Sequence, residues 1–392
     1  MAAVVGQVVL GVILVLSAAA SVDRVFELRA VDPGFGANRA VSIRVPISAD
    51  RFPSFRQRSD VVARIAESLR SIPGVRAAGG SDVLPVGDGT VFWSLSVEDH
   101  PPEDPGGVEL ADGRLVTPGY MEATGISVVR GRALDTRDRA GSMPVVVVSE
   151  TFGERYWPGE DPIGRRIKRR AYDSAFPWLT VVGVAADVRD GGPATDVSPT
   201  AYFPYAQHDV RLGRQLSFVV RSDRVLDELV PEIRIRVASV DPMAPIVRIS
   251  TLDELLSESM IAERTSGNVL GGLALGGLAL LGIGLYGVMS RAVLERRREL
   301  GLRRALGAHA SEAVWLVLKT GSVSVMVGTV IGLLAGPTVV RLSGLVLGEA
   351  LDVPLWSYAA AAALLLTVGA VAGVVPALRA VRVSPIISLR SD

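Results

Sequence analysis

The chain has 392 residues, 49% of them hydrophobic and only 5% aromatic, with a mean hydropathy of +0.37; soluble domains seldom combine these values, so membrane spans are expected. Lys and Arg (41) balance Asp and Glu (41), which excludes a net charge that would draw the chain to nucleic acid. No cysteine is present, which excludes disulfides, thiolate chemistry and cysteine metal sites.

In chain order, Met1–Val22 is uncharged, apolar and long enough to span a bilayer. The small residues at 18–20 suit a signal-peptide cleavage site, but no basic region precedes the apolar run, so a retained helix is expected. Residues 23–250 differ in kind. Charges, Pro and Gly are spread through them, and no apolar run is long enough to span. Strands are expected at 41–47, 75–84, 91–97, 145–148, 179–188, 216–220 and 246–249. Helices are expected at 60–71, near 120–123 (flanked by Leu115–Val116 and Ile126–Val129), at 150–157 and at 226–240, where Asp241-Pro242 stops the last. The alternation in two blocks predicts an α+β domain of two subdomains. Its scattered carboxylates (Glu150, Glu154, Glu160, Asp161, Asp187, Asp190) show no paired acid–base spacing and read as solvated faces. His100, His208 and His309 are far apart and read as lone surface imidazoles, with no metal-ligand spacing. No cofactor is expected.

Residues 251–264 place Leu252, Leu255, Leu256 and Met260 on one helical face, with Thr251 as N-cap and Glu254 three residues on. They run into the uncharged segment 265–290 without a breaker, which predicts one stalk helix leaving the bilayer, the alternative being a separate amphipathic helix hinged at Gly267. Segment 265–290 carries eight glycines. Gly267, Gly271, Gly272, Gly276 and Gly277 lie at the small-residue spacing that lets helices approach closely in lipid, within or between chains. The stretch 291–319 is a basic loop with six arginines up to residue 309, followed by an amphipathic segment from Leu302 to Lys319. Spans are expected at 320–340 and 353–378, separated by the loop 341–352. The arginine-bearing tail 379–392 follows. The basic loop and tail orient to the cytoplasm, so the domain 23–250 is extracytoplasmic. The chain is thus read as a multi-pass membrane protein with four transmembrane helices. Lys168 and Lys319 are the lysines present, and neither follows a glycine. A P-loop needs Gly-Lys to hold phosphates, so this sequence carries no such ATP site. G-x-S-x-G and H-E-x-x-H are absent as well.

The residues carry a resemblance along most of the chain. VDPGF (31–35), VTPGYMEATGISVVRGR (116–132), VVVVSETFGERYWPGEDPIGRRI (145–167) and VVGVAADVRDGG (181–192) resemble the MacB-like periplasmic core domain. GLYGVMSRAVLERRRELGLRRALGA (284–308) and VPALRAVRVSPIISLR (375–390) resemble the FtsX-like C-terminal module of ABC permeases. The chain is similar to one unit of the group in which two such units are joined. The resemblance implies a non-catalytic inner-membrane permease subunit. A separate cytoplasmic ABC ATPase would drive it, and motion would travel through the helices to an outer domain that expels substrate or extracts lipoprotein. It also implies a homo- or pseudo-dimer in the bilayer, with a membrane-fusion or outer-membrane partner and no nucleic acid. The coupling positions would be Glu295, Arg298, Glu299, Leu300, Gly301, Arg303, Ala305, Leu306 and Gly307. An alternative reading is a regulatory scaffold whose outer domain activates a partner such as a cell-wall hydrolase, with nothing exported. Because no native cysteine competes, topology is directly testable. A single cysteine introduced into the domain 23–250 labels from outside in intact cells; labelling only after lysis overturns the orientation.

Overall fold

The computed structural model describes residues 2–98, 100–101, 108–208, 215–295, 310–347 and 352–381. In chain order they form α1 (Ala2–Ala30), β1 (Ala40–Pro46), α2 (Phe55–Arg70), β2 (Val75–Ser81), β3 (Phe92–Val97), β4 (Glu109–Val116), α3 (Tyr120–Thr124) and β5 (Val128–Gly131). There follow β6 (Val145–Ser149), α4 (Glu150–Tyr156), β7 (Arg166–Arg169), β8 (Trp178–Ala185), β9 (Thr200–Pro204), β10 (Gln215–Ser222), α5 (Leu226–Val240) and β11 (Arg248–Thr251). The chain ends in α6 (Leu252–Ser259), α7 (Ile261–Glu295), α8 (Ala310–Leu347) and α9 (Leu355–Val381). Two units result, one from Met1–Leu28 with Ala262–Asp392, the other from Arg29–Ile261.

In the helical unit, four helices are long and apolar enough to cross a membrane: Ala3–Ala30, Arg264–Arg291, Ser322–Leu342 and Leu355–Gly373. Helix α1 buries Val4, Val8, Val12, Leu16 and Ala20, a stripe of period four, in one cluster with Leu281 and Leu285 of α7, Val325 and Val340 of α8, and Leu365 of α9. Helix α8 approaches α1 closely at three successive turns. A Cβ added at Gly328, Gly332 or Gly336 would lie 2.6 Å from Val8, Val12 or Leu16 respectively. Helix backbones approach this closely in lipid only where side chains are missing. In α7, Gly267 lies 3.7 Å from Ser21 and Gly277 3.0 Å from Leu14, while Gly271, Gly272 and Gly276 face open space within the chain.

Three helix boundaries differ from the sequence expectation. Helix α1 continues past Val22 to Ala30, because Asp23, Arg24, Glu27 and Arg29 are compatible with helix and Arg24 pairs with Glu27 one turn on, at 3.7 Å. The expected stalk is divided at Met260 (φ −99°, ψ 11°). There the Met260 amide bonds the Ser257 carbonyl and the Ser259 hydroxyl bonds the Leu256 carbonyl, tightening the last turn of α6. Its predicted capping box of Thr251 and Glu254 is present. Residues 310–319, expected in a separate amphipathic segment, are the first turns of α8.

The unit Arg29–Ile261 is an α+β domain with two lobes. Lobe 1 is the antiparallel sheet β11-β1-β10-β2. Helices α2 and α5 cover it, burying Val61, Ile65 and Leu69 with Ile233 and Val237 against Ile43, Val45, Phe218 and Val220. Lobe 2 is inserted between β2 and β10. Its strands pair β4-β3-β7-β8-β6-β9, and β9 pairs back to β4 in parallel. Six strands therefore close on themselves, with Trp93, Leu95, Ala111, Leu115, Val146, Val148, Ile167, Val181 and Phe203 filling the interior at alternate positions. The sheet links the lobes through one β2–β4 rung, Ser81 opposite Val116.

The α1–α8 contact yields a prediction. Gly332→Leu forces a side chain onto Val12 and costs about 1–3 kcal/mol, as overpacking typically does. The purified chain loses several degrees of thermal stability in detergent, whereas Gly271→Ala, in open space, leaves it unchanged.

Candidate functional site: the junction between the lobes

Four of the motifs singled out in the sequence converge where the lobes meet. Phe35, Val116, Tyr120, Met121, Val145, Val147, Ala185 and Val188 share one buried cluster with Leu252 and Leu255 of α6. Strand β4 supplies its outward face to this junction, and that face carries Asp112 and Arg114. Both are fully buried. Arg114 forms ion pairs with Asp112 at 3.2 Å and with Asp190. The ring hydroxyls of Tyr120 and Tyr202, both fully buried, lie within the field of this guanidinium.

The site holds one guanidinium against two carboxyls away from water. Burial pushes the Asp190 carboxyl up to about 8 despite the pull of Arg114, and the nearby Asp112 adds to the rise. Burial also pushes the Tyr120 hydroxyl up to about 12, so it stays neutral. Asp190 is thus not solvated, in contrast to the sequence reading, and Asp187 is half-buried. Asp187 accepts hydrogen bonds from the Thr151 amide (2.9 Å) and hydroxyl (2.6 Å) at the start of α4. His208 is likewise buried rather than on the surface. Its Nδ1 lies 3.1 Å from the Pro204 carbonyl, and burial lowers it to about 4.

The loop 187–192 ties the junction to both ends of the domain. The Arg189 amide bonds the Pro33 carbonyl at 3.0 Å, in the segment that leads from α1 to β1. Gly34 (φ +81°) sits directly on the Asp187 carbonyl, where any Cβ would overlap it. Gly192 (φ +116°) lies in the same way against the Ser259 side chain at the end of α6. Asp190, between them, enters the ion cluster. Sequence reasoning marked this loop as a motif but missed Arg114 and Asp112, because a charged pair in a strand reads as exposure.

Of the expected coupling residues, Glu295 is the last residue of α7. Arg298, Glu299, Leu300, Gly301, Arg303, Ala305, Leu306 and Gly307 lie outside the described residues. No group of three or more potential metal ligands occurs among the described residues.

Helices apolar enough to cross a membrane, carried in one chain with a two-lobed α+β domain, fit a membrane protein with one large domain outside the bilayer. Residues 1–247 match the MacB-like periplasmic core domain, and residues 271–385 match the FtsX-like permease C-terminal family. The chain belongs to this MacB/FtsX-type family of ABC transporter permeases. It is 30% identical over 70% of its length to the macrolide export ATP-binding/permease protein MacB of Hahella chejuensis, of which it spans 42%. It is 23% identical over 70% of its length to the ABC transporter permease YvrN of Bacillus subtilis, spanning 68% of that protein. Among solved structures it is similar to the periplasmic region of MacB from Actinobacillus actinomycetemcomitans (17% identity, TM-score 0.40), covering 59% of this chain and 97% of that one.

The ion cluster makes two outcomes testable. Arg114→Leu leaves two dry carboxyls without a counter-ion and costs about 3–5 kcal/mol, read as lost hydrogen-exchange protection of the β4 and β9 amides. Asp190, raised above its ordinary 3.8, holds a proton in the folded state that the unfolded state releases. Its contribution to stability is therefore greatest below about pH 4, falls as pH rises toward 8, and levels beyond. Asp190→Asn flattens that decline across pH 4–8; an undiminished slope excludes Asp190 as its source.

Proposed function

We propose that this chain is a mechanotransmission subunit. A separate cytoplasmic ABC ATPase closes on the loop 291–309, and the membrane helices carry that motion to the extracytoplasmic domain, which works in export, efflux or lipoprotein release. The observation that carries the reading is the FtsX-like match over residues 271–385, which spans the whole basic loop. The chain has no Gly-Lys phosphate loop, so on this reading the energy comes from a partner. Glu295, Arg298, Glu299, Leu300, Gly301, Arg303, Ala305, Leu306 and Gly307 form the docking segment, with arginines making charge-assisted contacts and glycines permitting close approach. The open face of α7 at Gly271, Gly272 and Gly276 serves a second copy of the chain, giving a dimer in the inner membrane. The macrolide-export name of the Hahella relative supports export as the class of work. The domain limits read from sequence (1–22, 23–250, 251–264, 265–290, 291–319, 320–340, 341–352, 353–378 and 379–392) stand as the proposed functional divisions, with a membrane-fusion or outer-membrane protein as the proposed outer partner.

The test is Glu299→Ala combined with Gly307→Leu. Co-purification of the ATPase falls at least tenfold, and stimulation of its hydrolysis is lost, with protection of the outer domain unchanged. Unaltered co-purification and stimulation reduce the loop to a topological anchor.

A further inference from the structure

The mouth of the lobe 2 barrel has a composition that folding alone does not explain. Strand β7 and its approach read GRRIKRR over residues 164–170. The first cations of this run are satisfied. Arg165 pairs with Glu160 and Arg166 with Glu98. Lys168 donates to the carbonyls of Tyr172 (2.8 Å) and Ser174 (2.9 Å). Arg169 and Arg170 form no salt bridge among the described residues.

The alternation of β7 explains where Arg169 goes. Ile167 faces the barrel interior, and Arg169, two residues on, faces the same way at the rim. Its guanidinium lies 4.1 Å from the Trp93 ring centroid. Trp93 is itself fixed, stacked on Phe203 at 4.8 Å and lying directly over the bare backbone of Gly113. The next residue of a strand would point to the opposite face. Arg170 instead adopts φ +66°, a left-handed conformation that costs a residue other than glycine about 1 kcal/mol or more. The two guanidiniums thereby come to the same aromatic, 5.5 and 5.4 Å from the Phe176 ring centroid. Both line one cavity of about 550 Å³ with Trp93, Ser94, Val108 and Ser174, and among the described residues no carboxylate lines it. Burial and the neighbouring Arg170 disfavour the charge on Arg169, and Asp82 offsets only part of this.

Two like charges, held together by a strained backbone over a rigid aromatic wall, are stabilised by an anion between them. Barrel mouths are common ligand sites. We propose that the mouth of the lobe 2 barrel is a binding site for an organic phosphate monoester, its dianionic head held by Arg169 and Arg170 and its apolar part lying on Trp93 and Val108. The site follows from the barrel geometry and is independent of the ATPase reading.

The test is calorimetric titration of the full chain in phosphatidylcholine nanodiscs with phenyl phosphate, inorganic phosphate and benzoate. Phenyl phosphate binds, inorganic phosphate binds more weakly for want of the apolar contact, and benzoate, a monoanion, binds at least tenfold more weakly. Arg169→Ala and Arg170→Gly each weaken phenyl phosphate at least tenfold. Arg170→Gly also relieves the left-handed strain, so its thermal stability does not fall, which separates lost binding from lost folding. Competition by phosphatidic acid placed in the disc marks a lipid headgroup as the source of the phosphate, and its absence marks a soluble one. Two results overturn the proposal: no phenyl phosphate binding at millimolar concentration, or binding retained in both variants.

Discussion

The outer domain depends on one dry ion cluster. Arg114, Asp112 and Asp190 meet where the two lobes touch, all almost wholly shielded from solvent. Removing such groups from water costs several kcal/mol for each ion, and only close geometry and hydrogen bonding repay it. A pair of this kind tolerates little slippage. Any shift of the loop 187–192 that withdraws Asp190 from β4 leaves Arg114 buried without that partner. The sheet supplies only the single rung Ser81–Val116 across the same boundary, with the Thr117 hydroxyl accepting from the Gly80 amide at 2.7 Å. The apolar cluster around these groups, which joins Ala77 and Val219 of lobe 1 to Val116, Val147 and Tyr202 of lobe 2, therefore does most of the work of fixing the relation between the lobes.

Strand β4 makes this possible because it belongs to two cores at once. Ala111, Gly113 and Leu115 face the barrel. Asp112, Arg114 and Val116 face the junction. Gly113 is bare because Trp93 lies across it, and the same indole forms the wall on which Arg169 rests. A substitution in β4 is thus felt on both faces, at the ion cluster and at the barrel mouth. Closure of the six strands adds to this rigidity, since the ladder of β4 is paired on both sides by β3 and β9 and offers no free edge there.

How much of this the sequence discloses depends on periodicity. Helices α2 and α5 and the four apolar helices were legible because their apolar residues recur at helical spacing or run unbroken. The strands β7 and β9 were not anticipated, and β4 was anticipated only at Leu115–Val116. The rest of β4 reads ELADGR, and its alternation is hidden because its second face buries charge instead of hydrocarbon. Strand β7 is a basic run whose cations are held by carboxylates, carbonyls and an aromatic ring. The division at Met260 carries no glycine or proline and comes from side-chain capping. The glycine-rich helix α7 drew attention by its number of glycines. The tight intrachain contact instead falls on Gly328, Gly332 and Gly336 of α8, a four-residue repeat that is equally visible in the sequence once spacing is weighed above number.

The connectivity constrains how motion delivered by the membrane helices, on the proposed reading, would reach lobe 2. The chain enters the domain through residues 31–39 and leaves it through β11 and α6. Strands β1 and β11 are paired neighbours, Val41 opposite Thr251, so a relative displacement of the two connections first loads that ladder. Both connections also touch the loop 187–192 directly, through Pro33 and Gly34 on one side and Ser259 on the other. That loop carries Asp190. A shear between entry and exit therefore acts on the loop residue that neutralises Arg114. Packed interiors resist continuous deformation. Small shears would thus be transmitted to lobe 2 as rigid-body movement, and larger ones would have to break the Arg114–Asp190 contact outright.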